Sequence, residues 1–184
     1  MNQPRIMVIL YREDDPGKNT ALKLIKVGLA SRVGRSGVKG YPIVLNPYSS
    51  TYLGPWHREQ LVKQGLLVLD ASWRRLSPSR FKDIRGLHTK LPPLLPGNPV
   101  NYGKPCILSS IEAVAAALYI TGFIELYSRI LGLYKWMKTF HDLNKELLEE
   151  YSKTKTPQEL EELIIQYWET INPCIQVEGE GAGT

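Results

Sequence analysis

The chain has 184 residues and an ordinary globular composition, so it can form one domain or two small ones around a full core. Its longest apolar runs, such as Ala113 to Ile120, are far shorter than the roughly 18 residues of a membrane span, and residues 1–11 lack the layout of a secretory signal. These features exclude a membrane-spanning or secreted protein, and we expect a soluble protein of the cytoplasm.

The net charge of +5 conceals a division along the chain. Residues 1–140 contain 20 Lys and Arg against 8 Asp and Glu, a balance of +12, whereas residues 141–184 contain 3 against 10, a balance of −7. A strongly basic surface predicts a polyanionic partner. The two parts of the chain are therefore expected to face different partners.

The cysteines and histidines give no sign of a metal site. Cys106 and Cys174 belong to no C-x-x-C pair, and the three histidines are scattered along the chain. We expect neither a disulfide framework nor a metal.

The first part of the chain has the pattern of an opening β-turn-α unit. Arg5 to Tyr11 is a nearly continuous apolar run, which is typical of a strand that is buried on both faces. Glu13 to Gly17 predicts a turn. Asn19 or Thr20 is then expected to cap a helix that ends near Val33.

Two further strand segments follow, with a short helix between them. Tyr41 to Leu45 and Leu66 to Leu69 are apolar, and Trp56 to Lys63 is a plausible helix closed by Gly65. Strands that alternate with helices predict an α/β layer with a mostly parallel sheet. Because ligands bind beyond the carboxyl ends of such strands, Asp70 to Trp73 is expected at the binding edge.

A proline-rich loop then leads into a capped helix. Residues 91–108 contain five prolines, which predicts a stiff, shaped loop. Ser109 and Glu112 form a capping box, so the helix should begin at Ser110 and, being apolar nearly all round, should be buried. Such a helix start can receive a carboxylate or phosphate, although very many capping boxes bind nothing.

The remainder is predicted to be helical, which divides the chain into an α/β domain at 1–92 and a loop with an all-helical domain at 93–184. The expected helices are 110–121, 123–133, 134–151 and 157–171. Thr156 caps the last of these with Pro157 at its first position. Residues 177–184 are expected to form a disordered tail.

Neither a G-x-G-x-x-G segment after a strand, nor a P-loop, nor a G-x-S-x-G elbow is present. The remaining features suit an adenine-bearing cofactor with an amino-acid group at one end. Trp73 can cover the adenine, Asp70 can meet a cation, and the Ser109 helix start can take a carboxylate. Alternatively, Trp73 is a core aromatic and Asp70 only caps the following turn.

A basic stretch rich in aromatic residues follows the third strand. Between Arg74 and Lys104 seven basic residues are opposed only by Asp83, and they are interleaved with aromatic rings. This pattern is typical of surfaces that hold single-stranded RNA, although a solvated basic face is the alternative. The predicted phosphate contacts are Arg74, Arg75, Arg80, Lys82, Arg85 and Lys90.

Several segments resemble motifs of one known family. Leu69 to Trp73 (LDASW) resembles its D-C/A-S-W motif, Arg85 with Leu91 to Leu94 resembles its R…LPxL segment, and Asn98 to Pro105 (NPVNYGKP) resembles its NPVNYGxP segment. The combination of NPVNYG with the D-x-S-W box is specific.

Two helical segments extend the likeness to about residue 151. Ser109 to Ile120 is similar to the L-S-x-x-E-A-x-A-A-A-L-Y-I helix, and Trp136 to Asn144 to the K-W-G-x-x-F-x-x-x-N segment, of the small-subunit (16S/18S) rRNA aminocarboxypropyltransferase family, archaeal type. Departures are small, with Pro96 and Gly97 standing where alanines are usual.

The resemblance implies S-adenosylmethionine as cofactor and transfer of its 3-amino-3-carboxypropyl group to a (methyl)pseudouridine of small-subunit rRNA, in a probably monomeric protein with a SPOUT-like fold and a knotted cofactor site. Asp70 is the candidate catalytic residue. The implied cofactor residues are Thr20, Leu45, Pro47, Leu69, Trp73, Leu94, Ser109, Ser110 and Ala113. The rival functions are an rRNA methyltransferase that uses the same cofactor and a non-catalytic rRNA-binding assembly factor.

Overall fold

A computed structural model describes residues 2–11, 19–170 and 172–174. Five strands form one sheet in the order β2-β1-β4-β3-β5, and every pair is parallel. The predicted α/β fold with a parallel sheet is therefore confirmed. The strands are β1 (Ile6–Leu10), β2 (Ser31–Arg32), β3 (Ile43–Leu45), β4 (Leu66–Asp70) and β5 (Leu87–Thr89).

The two central strands explain where the site lies. β1 and β4 pair along five positions, from Ile6 beside Leu66 to Leu10 beside Asp70. Their side chains are mostly buried because helices and loops cover both faces of the sheet, which accounts for their continuous apolar sequences. Asp70 is the last residue of β4 and so lies at the carboxyl edge.

Six α-helices accompany the sheet in the described residues. They are α1 (Thr20–Lys26), α2 (Arg58–Gln64), α3 (Ser110–Ile120), α4 (Ile124–Leu131), α5 (Met137–Lys153) and α6 (Pro157–Trp168). The predictions for Ser109 and Thr156 as N-caps are confirmed by their bonds to the N–H groups of Glu112 and Glu159. Gly65 ends α2 with a φ of 90°, as expected.

Some predicted bounds were wrong. α1 ends at Lys26 rather than near Val33, because Gly28 adopts a φ of 78° and the chain continues into β2. Tyr134 does not begin α5, since residues 134–136 form a turn before Met137. The predicted turn at 13–17 and tail at 177–184 lie outside the described residues.

Helix α3 lies at the centre of the main core. All its residues except Ser110, Ala113 and Tyr119 are buried, as expected from its apolar sequence. The core joins both parts of the chain, since Ile6 and Leu66 of the sheet share one cluster with Ile111 of α3. A smaller cluster around Met7 and Phe81 covers the other face of the sheet.

The expectation for the cysteines was wrong. Cys106 of the proline-rich loop and Cys174 form a disulfide, with their Cα atoms 5.7 Å apart. The two residues are 68 positions apart, so no local spacing could reveal the pair. Within the described ranges, no helix could cross a bilayer, and no cluster of three potential metal ligands occurs.

Candidate functional site

A cavity of about 640 Å³ opens at the carboxyl edge of the sheet, bounded by strand ends, the proline-rich loop and the start of α3. Its volume falls in the range of small-molecule sites. Ten residues singled out from the sequence border this one cavity: Thr20, Leu45, Pro47, Leu69, Asp70, Trp73, Leu94, Ser109, Ser110 and Ala113.

One part of the cavity is apolar. Leu45 and Pro47 follow β3, Leu69 ends β4, and Leu94 is fully buried in the proline-rich loop. The indole of Trp73 is oriented by a hydrogen bond from its Nε1 to the carbonyl of Leu108, at 2.9 Å. A fixed indole beside aliphatic side chains suits a flat heterocycle.

Another part of the cavity is polar and lies at the start of α3. The Ser110 hydroxyl donates to Oδ1 of Asp70 at 2.7 Å, which links β4 to the helix. The Ile111 N–H donates to Oγ1 of Thr20 at 3.1 Å, which links α1 to the same helix turn. Asp70 is only partly exposed, so its carboxylate is held in place at the cavity wall.

The helix start is therefore less open to an anion than the capping box suggested. The Ile111 N–H has Thr20 as its partner, and the Glu112 N–H donates to Ser109 Oγ over a long 3.4 Å. A carboxylate bound here would have to share this crowded turn with protein hydroxyl groups.

Glu112 was recognised from the sequence only as part of the capping box, but it does more. Its carboxylate is completely buried and accepts the Gly97 N–H at 2.6 Å and the Asn98 Nδ2 at 2.7 Å. It also accepts the N–H and the hydroxyl of Ser109, at 3.0 and 2.8 Å. One carboxylate thus fastens the proline-rich loop to α3.

Helix α5 fastens the same loop from its other side. The Asn144 side chain accepts the Leu95 N–H at 2.8 Å and donates to the Leu95 carbonyl at 2.7 Å. The buried Tyr151 hydroxyl donates to the Pro93 carbonyl at 2.8 Å. The loop is therefore part of the rigid cavity wall, as its prolines predicted.

Sequence reasoning missed two aromatic residues at the cavity. Tyr134 and Trp136 border it from the turn before α5, with ring centroids 5.0 Å apart and planes at 20°. Burial raises the pKa of Tyr134, so its hydroxyl stays protonated at neutral pH. The available signal was the alternation of aromatic and basic residues in Tyr134 to Lys138.

The predicted RNA-contacting residues fall into two groups. Arg74 and Lys90 border the cavity itself. Arg75, Lys82 and Arg85 are exposed on the surface that follows β4. The structure thus brings part of the basic set to the cavity.

Two of these cations also contact aromatic rings. The Arg80 guanidinium lies 4.5 Å from the Tyr11 ring centroid, and the Lys90 ammonium 4.6 Å from that of Tyr52. Arg35, from the basic Gly34 to Gly40 segment, donates to the carbonyls of Arg80 and Lys82 at 2.7 and 2.8 Å. It thereby orders the backbone that carries the basic groups.

A family model described as "Ribosome biogenesis protein, C-terminal" matches residues 43–168. The 16S rRNA aminocarboxypropyltransferase of Saccharolobus islandicus is 41% identical over 161 residues, which cover 86% of this chain and 93% of the relative. The enzyme of the same name from Vulcanisaeta distributa is 44% identical over 154 residues, covering 81% and 82%.

The similarity extends to a solved structure. The chain superposes on the SAM-dependent rRNA:acp-transferase from Vulcanisaeta distributa with a TM-score of 0.84 and 38% identity, over 98% of this chain and 99% of the other. The matched region contains all the residues that border the cavity.

Proposed function

Because the chain belongs to the 16S rRNA aminocarboxypropyltransferase family, we propose that its cavity is where S-adenosylmethionine meets a (methyl)pseudouridine base of small-subunit rRNA. The protein is an S-adenosylmethionine-dependent rRNA aminocarboxypropyltransferase of ribosome biogenesis, like its relatives. The observation that supports the site is the cavity itself, which joins an apolar slot, a fixed carboxylate and basic residues.

The residues present fit the cofactor. The apolar slot of Leu45, Pro47, Leu69 and Leu94 would hold the adenine, with the indole of Trp73 against it. Thr20 and Ser109, beside Ser110, offer hydroxyl groups to the amino-acid end. Ala113 presents a small apolar side chain from the second turn of α3, where the cofactor methyl group would be shielded.

When bound, S-adenosylmethionine supplies an electrophilic γ-carbon next to a sulfonium leaving group. The rRNA imide nitrogen loses its proton as it bonds to that carbon, and methylthioadenosine departs. Positioning decides between the methyl and the aminocarboxypropyl product, because both carbons are attached to the same sulfur. The apolar wall and the polar turn of α3 together fix that position.

Asp70 is the residue that we assign to the proton or to the ammonium group of the cofactor. A carboxylate placed to stabilise the sulfonium would oppose catalysis, because that charge disappears during the reaction. The hydrogen bond from Ser110 to Oδ1 holds the Asp70 carboxylate in one orientation. Abstraction of the imide proton or orientation of the ammonium is the role consistent with this geometry.

The RNA would lie across the basic surface around the cavity. Arg74 and Lys90 at the cavity, with Arg75, Arg80, Lys82 and Arg85 nearby, would contact phosphates. Neutralising Arg74 and Arg75 together should flatten the plot of log K against log salt by a little under one unit per lost contact. An unchanged slope would place the RNA on another face.

The family relationship also supports a SPOUT-like fold in which the proline-rich loop forms part of a knotted cofactor site. We further propose a monomer, a division near residue 92 into an α/β and an all-helical domain, and action in the cytoplasm on the rRNA of the assembling small subunit.

Two cofactor labels test the function against its rivals. With S-adenosylmethionine labelled in the carboxyl group, label should enter small-subunit rRNA; with label in the methyl group, it should not. Methyl label alone in the RNA would make the protein a methyltransferase. RNA binding without either label would make it an assembly factor.

A further inference from the structure

The turn between α4 and α5 offers an aromatic surface that no cofactor role uses. Tyr134 and Trp136 both border the cavity, are half-buried, and stack on each other with centroids 5.0 Å apart. Neither ring is needed for the apolar slot that fits the adenine. Two parallel rings at a binding cavity are an unusual use of surface unless something flat lies against them.

This aromatic turn adjoins the proline-rich loop. Gly97 of the loop lies so close to Phe140 that a Cβ at this position would collide with the Phe140 backbone. Phe140 follows the turn directly, since its N–H donates to the Trp136 carbonyl at 3.2 Å. The aromatic turn and residues 97–101 therefore form a wall of the cavity that is distinct from the strand ends.

A two-substrate transfer needs two subsites in contact. If the strand-end wall holds the adenine, the wall of Tyr134, Trp136 and the loop is the surface left for the acceptor. Single-stranded bases are held by stacking on aromatic side chains, with phosphates held by nearby cations. Lys135 and Lys138 are exposed on the same turn, and Val100 is 72% exposed on the adjoining loop.

We propose that Tyr134 and Trp136 form the platform on which the target uracil-type base of the rRNA stacks during transfer. This inference rests on the proposed function, because it assigns the acceptor subsite of the same cavity. It also extends the RNA-binding surface from the basic segment after β4 to the start of α5. The acidic residues after 141 remain outside that surface.

Leucine variants test the platform while retaining apolar packing against the core. Trp136→Leu and Tyr134→Leu should each lower carboxyl-label transfer to rRNA at subsaturating RNA by about tenfold, which corresponds to one lost base stack. Affinity for S-adenosylmethionine should stay within about twofold of the parent value. Tyr167→Leu is the matched control, since Tyr167 is an exposed aromatic of the helical part that does not border the cavity.

Parent-like transfer by Trp136→Leu would overturn the platform. An equal loss of cofactor affinity and of transfer would also overturn it, because the rings would then belong to the cofactor subsite or to the fold. A parent protein that transfers no carboxyl label would instead contradict the proposed function.

Photo-crosslinking decides the platform independently of catalysis. A small-subunit rRNA transcript that contains 5-iodouridine is irradiated with the parent protein, and attachment is expected at Tyr134 or Trp136. A cross-link map without attachment in residues 134–136 would overturn the platform, even if the protein proved to be an RNA-binding factor.

Discussion

The buried carboxylate of Glu112 accepts the backbone N–H of Gly97 at 2.6 Å, across a sequence distance of fifteen residues. This bond joins the proline-rich loop to the first turn of α3, which is also the turn that contacts Asp70 and Thr20. Gly97 cannot carry a side chain, because a Cβ would collide with Phe140. A glycine where the family usually has alanine is therefore explained by the close approach of α5.

Removal of the Glu112 carboxylate should loosen the loop. Glu112→Ala leaves the Gly97 N–H, the Asn98 amide and the Ser109 donors without their acceptor, and each buried unpaired group costs about 1–3 kcal/mol. We expect a loss of at least about 3 kcal/mol in the free energy of unfolding, measured by urea denaturation. Glu112→Gln retains one acceptor oxygen and should lose less.

The matched control is Glu125→Ala. Glu125 also lies in the first turn of a helix but is exposed, so its removal should change stability by no more than about 0.5 kcal/mol. Similar unfolding curves for Glu112→Ala and Glu125→Ala would contradict the fastening role.

Local signals in the sequence were sufficient for much of this structure. β1, β4 and the start of α3 carry unambiguous patterns, namely continuous apolar runs and a capping box. β2 and β5 span only two and three residues, so neighbouring strands rather than their own sequence define them.

The contacts that assemble the site were not predictable in the same way. Trp73 was singled out, but its partner is the backbone carbonyl of Leu108, and a backbone acceptor leaves no mark on the sequence. The disulfide joins residues 68 positions apart. Tyr134 and Trp136 were missed because an expected helix across them would have spread the two rings over different directions.

Replacement of Trp73 should weaken cofactor binding. Trp73→Ala removes a stacking surface worth about 1–3 kcal/mol, so affinity for S-adenosylmethionine should fall about tenfold or more by calorimetry. Trp73→Phe keeps an aromatic face but loses the bond to Leu108, and should be intermediate. Tyr41→Ala, on an exposed aromatic away from the cavity, is the control. Unchanged affinity in folded Trp73→Ala would remove Trp73 from the site.

Reduction of the disulfide should destabilise the protein. A closed loop of 68 residues corresponds to about 4 kcal/mol of lost chain entropy in the unfolded state. Dithiothreitol should therefore lower the unfolding free energy of the parent, and Cys174→Ser should show the same loss without the reductant. The double variant with Cys106→Ser should be no less stable than the single variant. Two free thiols in the unreduced, denatured parent would contradict the bond.

His57 should make stability depend on pH. Burial lowers the pKa of the His57 imidazole, and its Nδ1 accepts the Gly54 N–H at 3.1 Å, which requires that nitrogen to be unprotonated. As pH falls below the ordinary histidine value of about 6.5, the unfolded chain takes up a proton that the folded chain refuses. Stability should therefore decline from pH 6.5 down to the lowered folded-state pKa.

His57→Asn provides the comparison for this pH dependence. Asparagine can still accept the Gly54 N–H through its side-chain oxygen but does not titrate. Urea denaturation across this pH window should show a shallower decline for the variant than for the parent. Parallel declines would assign the pH dependence to other groups.

Asp70→Asn separates the roles that remain for this residue. The amide keeps the shape of the carboxylate and can still accept the Ser110 hydroxyl, but it cannot take up the imide proton or pair with an ammonium group. If Asp70 is the base, single-turnover transfer of the carboxyl label should fall by about 10²–10⁴-fold, the usual contribution of a positioned base, with cofactor affinity retained. If it holds the ammonium, affinity and turnover should fall together. Ser110→Ala, which removes only the orienting hydroxyl, should reduce turnover less than Asp70→Asn in the first case. Parent-like turnover and affinity in Asp70→Asn would remove the residue from the catalytic machinery and leave it as the group that fixes β4 to α3.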